Sequence, residues 1–307
     1  MNVQQHDFPL LVTLLVAAAT PALGQIITPA VELPNSATQS VVSLPDFSGI
    51  WAHLSCCGFE LPLSGLGPVT NRSYPYRVGD YTNPILKPEA AQVVKKHGEI
   101  EISGLAHPTP SNHCWPSGVP YVFFQLGVQI LQLPDKVTFL YLRDHEFRQV
   151  RMNRPHPAEV APSWYGDSVG YYESDTLVID TVGVKTDRPL AMLDMYGTPY
   201  TRALHVVERY RLLDYEAARE GLERDAKEYA VIPNTSMQRD PAYRGKYLQL
   251  LFTVEDPGVF TMPWSATRTD GRPSGAWVED VCAEGTANSH YAPREADVFP
   301  TANKPDF

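Results

Sequence analysis

The sequence lacks three features that would place it in common functional classes: an excess of basic residues, a long internal apolar run and many cysteines. It has 25 Lys and Arg against 35 Asp and Glu, which gives a formal net charge of −10 over 307 residues. A nucleic-acid or anionic membrane partner needs a basic surface, which this balance does not supply. After residue 24 no segment approaches the roughly 18 apolar residues of a transmembrane helix. We therefore expect neither a nucleic-acid partner nor a membrane partner for the mature chain.

The chain also lacks the short motifs of several catalytic classes. No C-x-x-C or H-x-x-x-H spacing is present, so we expect no metal. We find no glycine-rich phosphate loop and no strand-to-helix serine turn of the nucleophile-elbow type. Hydrolase, kinase and dehydrogenase functions therefore have no support, and we expect no cofactor.

An apolar segment at residues 8–24 ends in the small-residue pattern Ala22-Leu23-Gly24. This pattern is typical of a secretory signal peptide cut before Gln25. The alternative is a membrane anchor, but 17 residues that include Pro21 are short for a span. We expect a secreted protein, or a periplasmic one if the source is bacterial.

Four cysteines, at positions 56, 57, 114 and 282, would then meet an oxidising compartment. Adjacent cysteines bond each other only through a strained ring, which competes with two long-range bridges or with one bridge and two free thiols. We predict a structural bridge between Cys114 and Cys282 that ties the middle of the chain to its end. Two glycosylation sequons, usable in a eukaryotic source, are Asn71-Arg72-Ser73 and Asn234-Thr235-Ser236.

Proline and glycine are frequent, with 28 and 20 residues, and this favours many short strands and turns over long helices. A first strand holds Gly49-Ile50-Trp51, and later segments alternate between apolar and polar residues. The later predicted strands are 125–133, 136–143, 146–153, 168–173, 176–182, 202–213, 246–255, 259–269 and 277–282, with helices at 88–96 and 215–229. About nine strands that pair mostly with their chain neighbours favour an all-β fold, an antiparallel, lipocalin-like β-barrel with one or two short helices.

The same pattern predicts a simple domain organisation. Residues 25–45 are rich in Pro, Ser and Thr and form an extended arm, residues 46–285 form one barrel domain, and residues 286–307 form a tail.

Several motifs resemble, in the same order, those of a family of secreted lipocalin-like proteins of mostly unassigned function. They are Asp46-Phe47-Ser48-Gly49-Ile50-Trp51, Cys114-Trp115-Pro116-Ser117-Gly118-Val119-Pro120, His156-Pro157, residues 164–181, Leu204-His205-Val206-Val207-Glu208-Arg209-Tyr210, Thr253-Val254-Glu255-Asp256-Pro257 and Pro263-Trp264. Members of that family usually read Trp-x-Gly-His-Ser where this chain has Asp167. A site built on that histidine would be altered here, and the family carries no general activity to transfer.

The chain also resembles fungal hetero-Diels–Alderases of tropolone-sesquiterpenoid biosynthesis in size, leader, sequons and strand-rich layout. This resemblance implies a cyclase that dehydrates a hydroxymethyl tropolone to an ortho-quinone methide and directs its cycloaddition to a sesquiterpene alkene. No catalytic motif of that family aligns residue by residue.

Three residues are candidates for acid–base catalysis: Glu208, Asp167 and His205. Alternation over residues 204–212 places Glu208 on the apolar face and His205 on the opposite face. A carboxylate that faces a core either pairs with a cation, such as Arg143 or Arg268, or serves as a general acid or base. Asp167 lies at a strand entrance and is either a rim carboxylate or a turn residue.

The aromatic residues exceed what one small core needs, although packing must account for most of them. A lipocalin-sized barrel leaves a cavity for one small apolar ligand. The predicted ligand-binding residues are Trp51, Trp115, Tyr121, Phe124, Arg143, Trp164, Tyr171, Trp264 and Arg268.

Three functional hypotheses follow. The first is a cofactor-free enzyme that holds an apolar, oxygenated small molecule in the barrel, since a cycloaddition needs mainly shape and one acid–base group. The second is a secreted carrier of a similar ligand without turnover. The third is a structural or interaction protein whose barrel is filled with side chains.

Overall fold

The computed structural model describes residues 44–53, 59–60, 66–73, 76–144, 146–188, 190–228 and 239–282, with the backbone alone at 225–228. The predicted leader, most of the arm, Cys56, Cys57, the sequon at Asn234 and the tail at 286–307 lie outside these residues. Within them, no helix is long and apolar enough to cross a bilayer.

Nine strands form one sheet in which every strand pairs with its chain neighbour. The strands are β1 (Gly49–Ala52), β2 (Gly127–Gln132), β3 (Lys136–Tyr141), β4 (Phe147–Met152), β5 (Asp167–Glu173), β6 (Thr176–Val182), β7 (His205–Leu213), β8 (Tyr247–Glu255) and β9 (Trp264–Asp270). The helices are α1 (Pro88–Ile102), α2 (Pro110–His113) and α3 (Tyr215–Glu228), with a 3-10 turn at Tyr121–Phe124.

The two edges of the sheet meet, which makes it a barrel. The backbone N–H groups of Ala52 and Gly271 each donate to the other residue's carbonyl oxygen, at 2.8 and 3.0 Å, and so join the end of β1 to the end of β9. All neighbouring strands are antiparallel except β4 and β5, which are parallel. The predicted all-β, mostly antiparallel barrel is confirmed.

Alternating burial follows from the strand sequences. In β3, Val137, Phe139 and Tyr141 are buried while the residues between them are partly exposed, and β7 and β8 show the same period of two. Phe139 packs against Tyr210, with ring centroids 5.3 Å apart, across the interior. Much of the interior is thus filled by side chains.

Three predicted elements differ most from the structure. The strand predicted at 277–282 is wrong, because only an isolated bridge between Arg143 and Asp280 forms there. The strand predicted to begin at 259 begins at Trp264, since the Asp256 carboxylate accepts the N–H of Gly258 and turns the chain. Helix α1 extends six residues beyond the predicted end at 96 and passes Gly98, whose missing Cβ leaves room for Val78.

Candidate functional site

Glu208 lies inside the barrel and is fully buried, as the alternation in β7 predicts. Its partner is Arg148 of β4, whose guanidinium donates to both carboxylate oxygens, at 2.6 and 2.9 Å. The predicted partners are wrong, because Arg268 pairs with Asp270 and Arg143 lies elsewhere, at the mouth of the barrel. Two charges buried together are stable only when they are matched and hydrogen-bonded, and this pair meets both conditions.

Hydroxyl groups complete this interior cluster. Tyr210 donates to Glu208 at 3.0 Å, and Arg148 donates to Thr181 at 2.7 Å and to Ser168 at 3.0 Å. Burial lowers the pKa of Arg148, but the Glu208 carboxylate outweighs it and the net shift is upward. Burial raises the pKa of Tyr210. The members of the cluster therefore hydrogen-bond to one another, which suits a structural ion pair better than proton transfer.

Ser168 belongs to a five-residue segment, 166–170, that reads G-D-S-V-G and carries the letters of a nucleophile elbow, although no such motif is predicted above. The fold excludes that role, because Ser168 lies within β5 and points inward to Arg148 and Thr181. It does not stand on a strand-to-helix turn and contacts no histidine among the described residues.

The other two acid–base candidates, Asp167 and His205, lie on the outer face of the same wall, where intervening side chains connect them. His205 Nε2 lies 2.9 Å from Asp180 Oδ2, and His156 Nε2 lies 3.0 Å from Asp180 Oδ1. His156 Nδ1 lies 2.6 Å from Asp167 Oδ1, which also accepts from Arg151 at 2.7 Å. Asp180 thus links His205 to His156 and Asp167, and we call these four residues the outer-wall network.

Hydrogen bonds between oppositely charged side chains shift the pKa values in this network. The hydrogen bond to Asp180 raises the pKa of His205. Burial lowers the pKa of His156, but hydrogen bonds to Asp180 and Asp167 outweigh it and raise the pKa overall. Burial raises the pKa of Asp180, yet the two histidines reverse this and bring it to about 2. Within the described part of the chain, no cluster of His, Cys, Asp or Glu is arranged to hold a metal ion.

The sequence reasoning missed Asp180. The signal that could have identified it is an acidic residue at an outward position of β6, a strand whose other residues are almost all buried. The network fastens the loop that carries His156 to the barrel wall, and its four members are each at least three-quarters buried.

A cleft of about 180 Å³ opens at the mouth of the barrel, where the 3-10 turn leads into β2. Of the predicted ligand-binding residues, Tyr121, Phe124 and Arg143 line it. Its other described lining residues, all missed from the sequence, are Arg77, Ser111, Ser117, Gln125, Leu126, Met195 and Asp280. We call this the mouth cleft.

The remaining predicted ligand-binding residues lie away from the mouth cleft. Trp51 and Trp264 are core residues, and the Trp51 indole donates to the Phe47 carbonyl oxygen at 2.8 Å. Arg268 is held by Asp270. None of these three side chains lines the mouth cleft, because inward-facing side chains of a small barrel pack against one another.

Trp115, Trp164 and Tyr171 are also absent from the cleft lining. Trp115 stacks on Trp164, with ring centroids 5.7 Å apart, and Arg188 lies over the Trp164 ring at 5.0 Å. Tyr171 donates to Glu173 at an exposed position on the outer face of β5.

A disulfide and a pair of hydrogen bonds fix the wall of the mouth cleft. The predicted disulfide joins Cys114 to Cys282, with Cα atoms 5.4 Å apart, and brings the segment that holds Asp280 beside the segment that holds Ser117. Arg188 donates to the carbonyl oxygens of Pro116 and Ser117, at 2.7 and 3.0 Å. The cleft is therefore preorganised by residues distant in sequence.

Comparisons with models of known families, with curated proteins and with solved structures gave no significant match.

Proposed function

We propose that this protein is a secreted, cofactor-free enzyme that binds an oxygenated, largely apolar ring compound in the mouth cleft and directs its cycloaddition. The observation that carries the proposal is the make-up of the cleft. Tyr121, Phe124 and Met195 provide apolar walls, and Arg77 and Arg143 provide polar contacts. Ligand sites combine a mostly apolar concave wall with a few polar groups in this way. The leader-like segment and the disulfide support secretion.

The size of the cleft limits what it holds. Its volume of about 180 Å³ is close to the roughly 150 Å³ cavity that binds one benzene ring. One ring of the substrate fits inside, and a terpenoid partner would lie at the open side of the cleft. Holding two reactants in register supplies the entropic part of a cycloaddition barrier, which requires no metal or nucleotide.

The dehydration that precedes such a cycloaddition needs one proton transfer. A hydroxymethyl group leaves as water when its C–O bond breaks and the ring hydroxyl gives up its proton, so an ortho-quinone methide forms without an external oxidant. Among the described lining residues, Asp280 is the carboxylate that can move this proton. Glu208, Asp167 and His205 do not line the cleft, and we assign the proton transfer to none of them.

A non-catalytic carrier is the second candidate. It is favoured because all three acid–base candidates are occupied by other contacts. Arg148 binds Glu208, and Asp167 and His205 belong to the outer-wall network. A carrier needs only the shape and polarity of the cleft.

One pair of variants tests the proposal. Leu126→Trp fills the mouth cleft, and Leu131→Trp places the same side chain on the exposed outer face of β2 as a matched control. The purified protein is incubated with a hydroxymethyl tropolone and a humulene-type alkene, and the rate and stereochemistry of the product are measured by chiral chromatography. We expect wild type and L131W to accelerate formation of one stereoisomer and L126W to lose at least tenfold of that rate.

The outcomes separate the two candidates. Binding that L126W abolishes, with no rate increase or stereochemical preference in wild type, would establish the carrier. Absence of both binding and turnover in wild type would remove both candidates.

A further inference from the structure

Two arginines line the mouth cleft. Arg77 and Arg143 are half-buried, and neither forms an ion pair with any residue that the structure describes. The Nε atom of Arg143 is buried and has no hydrogen-bond partner. Two buried arginines, Arg148 and Arg268, are by contrast paired with the carboxylates of Glu208 and Asp270. A partly desolvated guanidinium with an unused donor is costly unless an acceptor reaches it.

The charged groups that line the cleft favour an anionic acceptor. The guanidinium groups of Arg77 and Arg143 are opposed by one lining carboxylate, Asp280. The nearby carboxylates of Glu101 and Glu146 do not line the cleft and already accept hydrogen bonds from other residues. An oxyanion in the cleft is therefore attracted to the two guanidinium groups.

We propose that the mouth cleft recognises a monoanionic oxygen group, a carboxylate or a ring enolate, on a single flat ring. The anion lies between Arg77 and Arg143, and the ring packs on Tyr121 and Phe124. Guanidinium groups bind planar oxyanions through paired N–H donors. This inference names the substrate class of the proposed function and rests on it.

Benzoate and benzamide form the test, since they share one ring and nearly one shape but differ by one charge. Binding to the full-length protein is measured by NMR titration at pH 7 and low salt. We expect benzoate to bind at least tenfold more tightly than benzamide. Arg143→Gln and Arg77→Gln are each expected to weaken benzoate binding about tenfold and to weaken benzamide binding by a smaller factor. Arg211→Gln, on the exposed outer face of β7, is the control and keeps full benzoate affinity.

Equal affinity for benzoate and benzamide overturns the inference, as does full benzoate affinity in either cleft variant. The proposed function is judged separately, by turnover and by the effect of L126W, so a neutral ligand that is turned over in the cleft would sustain the function while this inference fails. A benzoate affinity that falls equally in R211Q would show a general surface-charge effect and would also overturn it.

Discussion

Two charged clusters occupy opposite faces of the same barrel wall, and they hold their charges in different ways. Inside, Arg148 and Glu208 are completely buried and make paired hydrogen bonds. Outside, His156, Asp180 and His205 form a chain whose histidines keep about one fifth of their surface exposed. The inner pair is shielded from water, whereas the outer chain is partly exposed to it.

This difference shows why a carboxylate that faces the core is a poor guide to catalysis in this fold. Glu208 satisfies the sequence criterion of an acid–base residue in an apolar environment, yet Arg148, Thr181 and Tyr210 occupy its oxygens. A buried ion pair of this kind contributes to a unique packing arrangement. We therefore expect its loss to lower the free energy of unfolding and not the rate of turnover.

The largest expected effect comes from breaking the inner pair. Glu208→Gln leaves the Arg148 guanidinium buried without its counter-charge, so we expect a loss of about 3–5 kcal/mol in the free energy of unfolding. Urea denaturation followed by circular dichroism measures it.

The double variant Arg148→Met, Glu208→Leu sharpens this prediction, because it removes both charges together. Its loss is expected to be smaller than the sum of the losses of the two single variants, which demonstrates their coupling. Additive losses, or a loss below about 1 kcal/mol in E208Q, would contradict the assignment of the pair as a structural element.

A smaller, pH-dependent effect is expected from Asp180→Asn in the outer-wall network. The pKa values of His156 and His205 are raised in the folded protein. The stabilisation that their charged forms add is therefore complete below the unfolded histidine pKa of about 6.5, and it is lost as the pH rises through the pKa values of the folded protein. Asp180, whose pKa is lowered to about 2, contributes above its unfolded pKa of about 3.9 and loses this as pH falls through about 2. At pH 6 we expect D180N to be less stable than wild type by about 1.5 kcal/mol, the low end for hydrogen bonds to charged groups.

Urea denaturation of both proteins at pH 6, 7.5 and 9 measures this difference, which we expect to narrow as pH rises. Comparing the two proteins cancels the titration of other groups, including His97 and His107, whose pKa values burial lowers. A difference that stays constant or widens towards pH 9 would show that the histidines are not charged in the folded network.

The smallest effect is expected for an ion pair on the exposed surface. Arg209 donates to Glu173 at 2.6 Å, but both side chains are about two-fifths exposed or more. Water and salt screen such pairs, so Glu173→Gln should change the free energy of unfolding by less than about 1 kcal/mol. A loss in the free energy of unfolding as large as that of E208Q would show that burial does not determine how much each charged cluster contributes to stability.

Local pattern predicted much of the fold. The nine-stranded barrel, the inward position of Glu208 and the outward position of His205 all follow from a period of two along the strands. Helix α1 continues to Ile102, beyond the predicted end at 96, and its Gly98 makes a close contact with Val78. The strand predicted at 277–282 failed because a short apolar run does not specify a partner strand.

The candidate site was predicted less well, because its residues come from distant segments. Three of the nine predicted ligand-binding residues, Tyr121, Phe124 and Arg143, line the mouth cleft. Aromatic character alone does not distinguish a core position such as Trp51 from a rim position such as Phe124. Polar lining residues such as Arg77 and Ser111 carry no local pattern that marks them as part of a cleft.

The sequence by itself determined which way the strand residues face and that the chain forms a mostly antiparallel barrel. Only the tertiary structure decided that Glu208 meets Arg148 across 60 positions, that Asp180 joins two histidines, and that Arg77, Arg143 and Asp280 share one cleft. The physical reason is that the direction in which a strand side chain points depends on backbone geometry within a few residues. Which side chains contact each other depends instead on strand register and barrel closure, which the whole chain sets together.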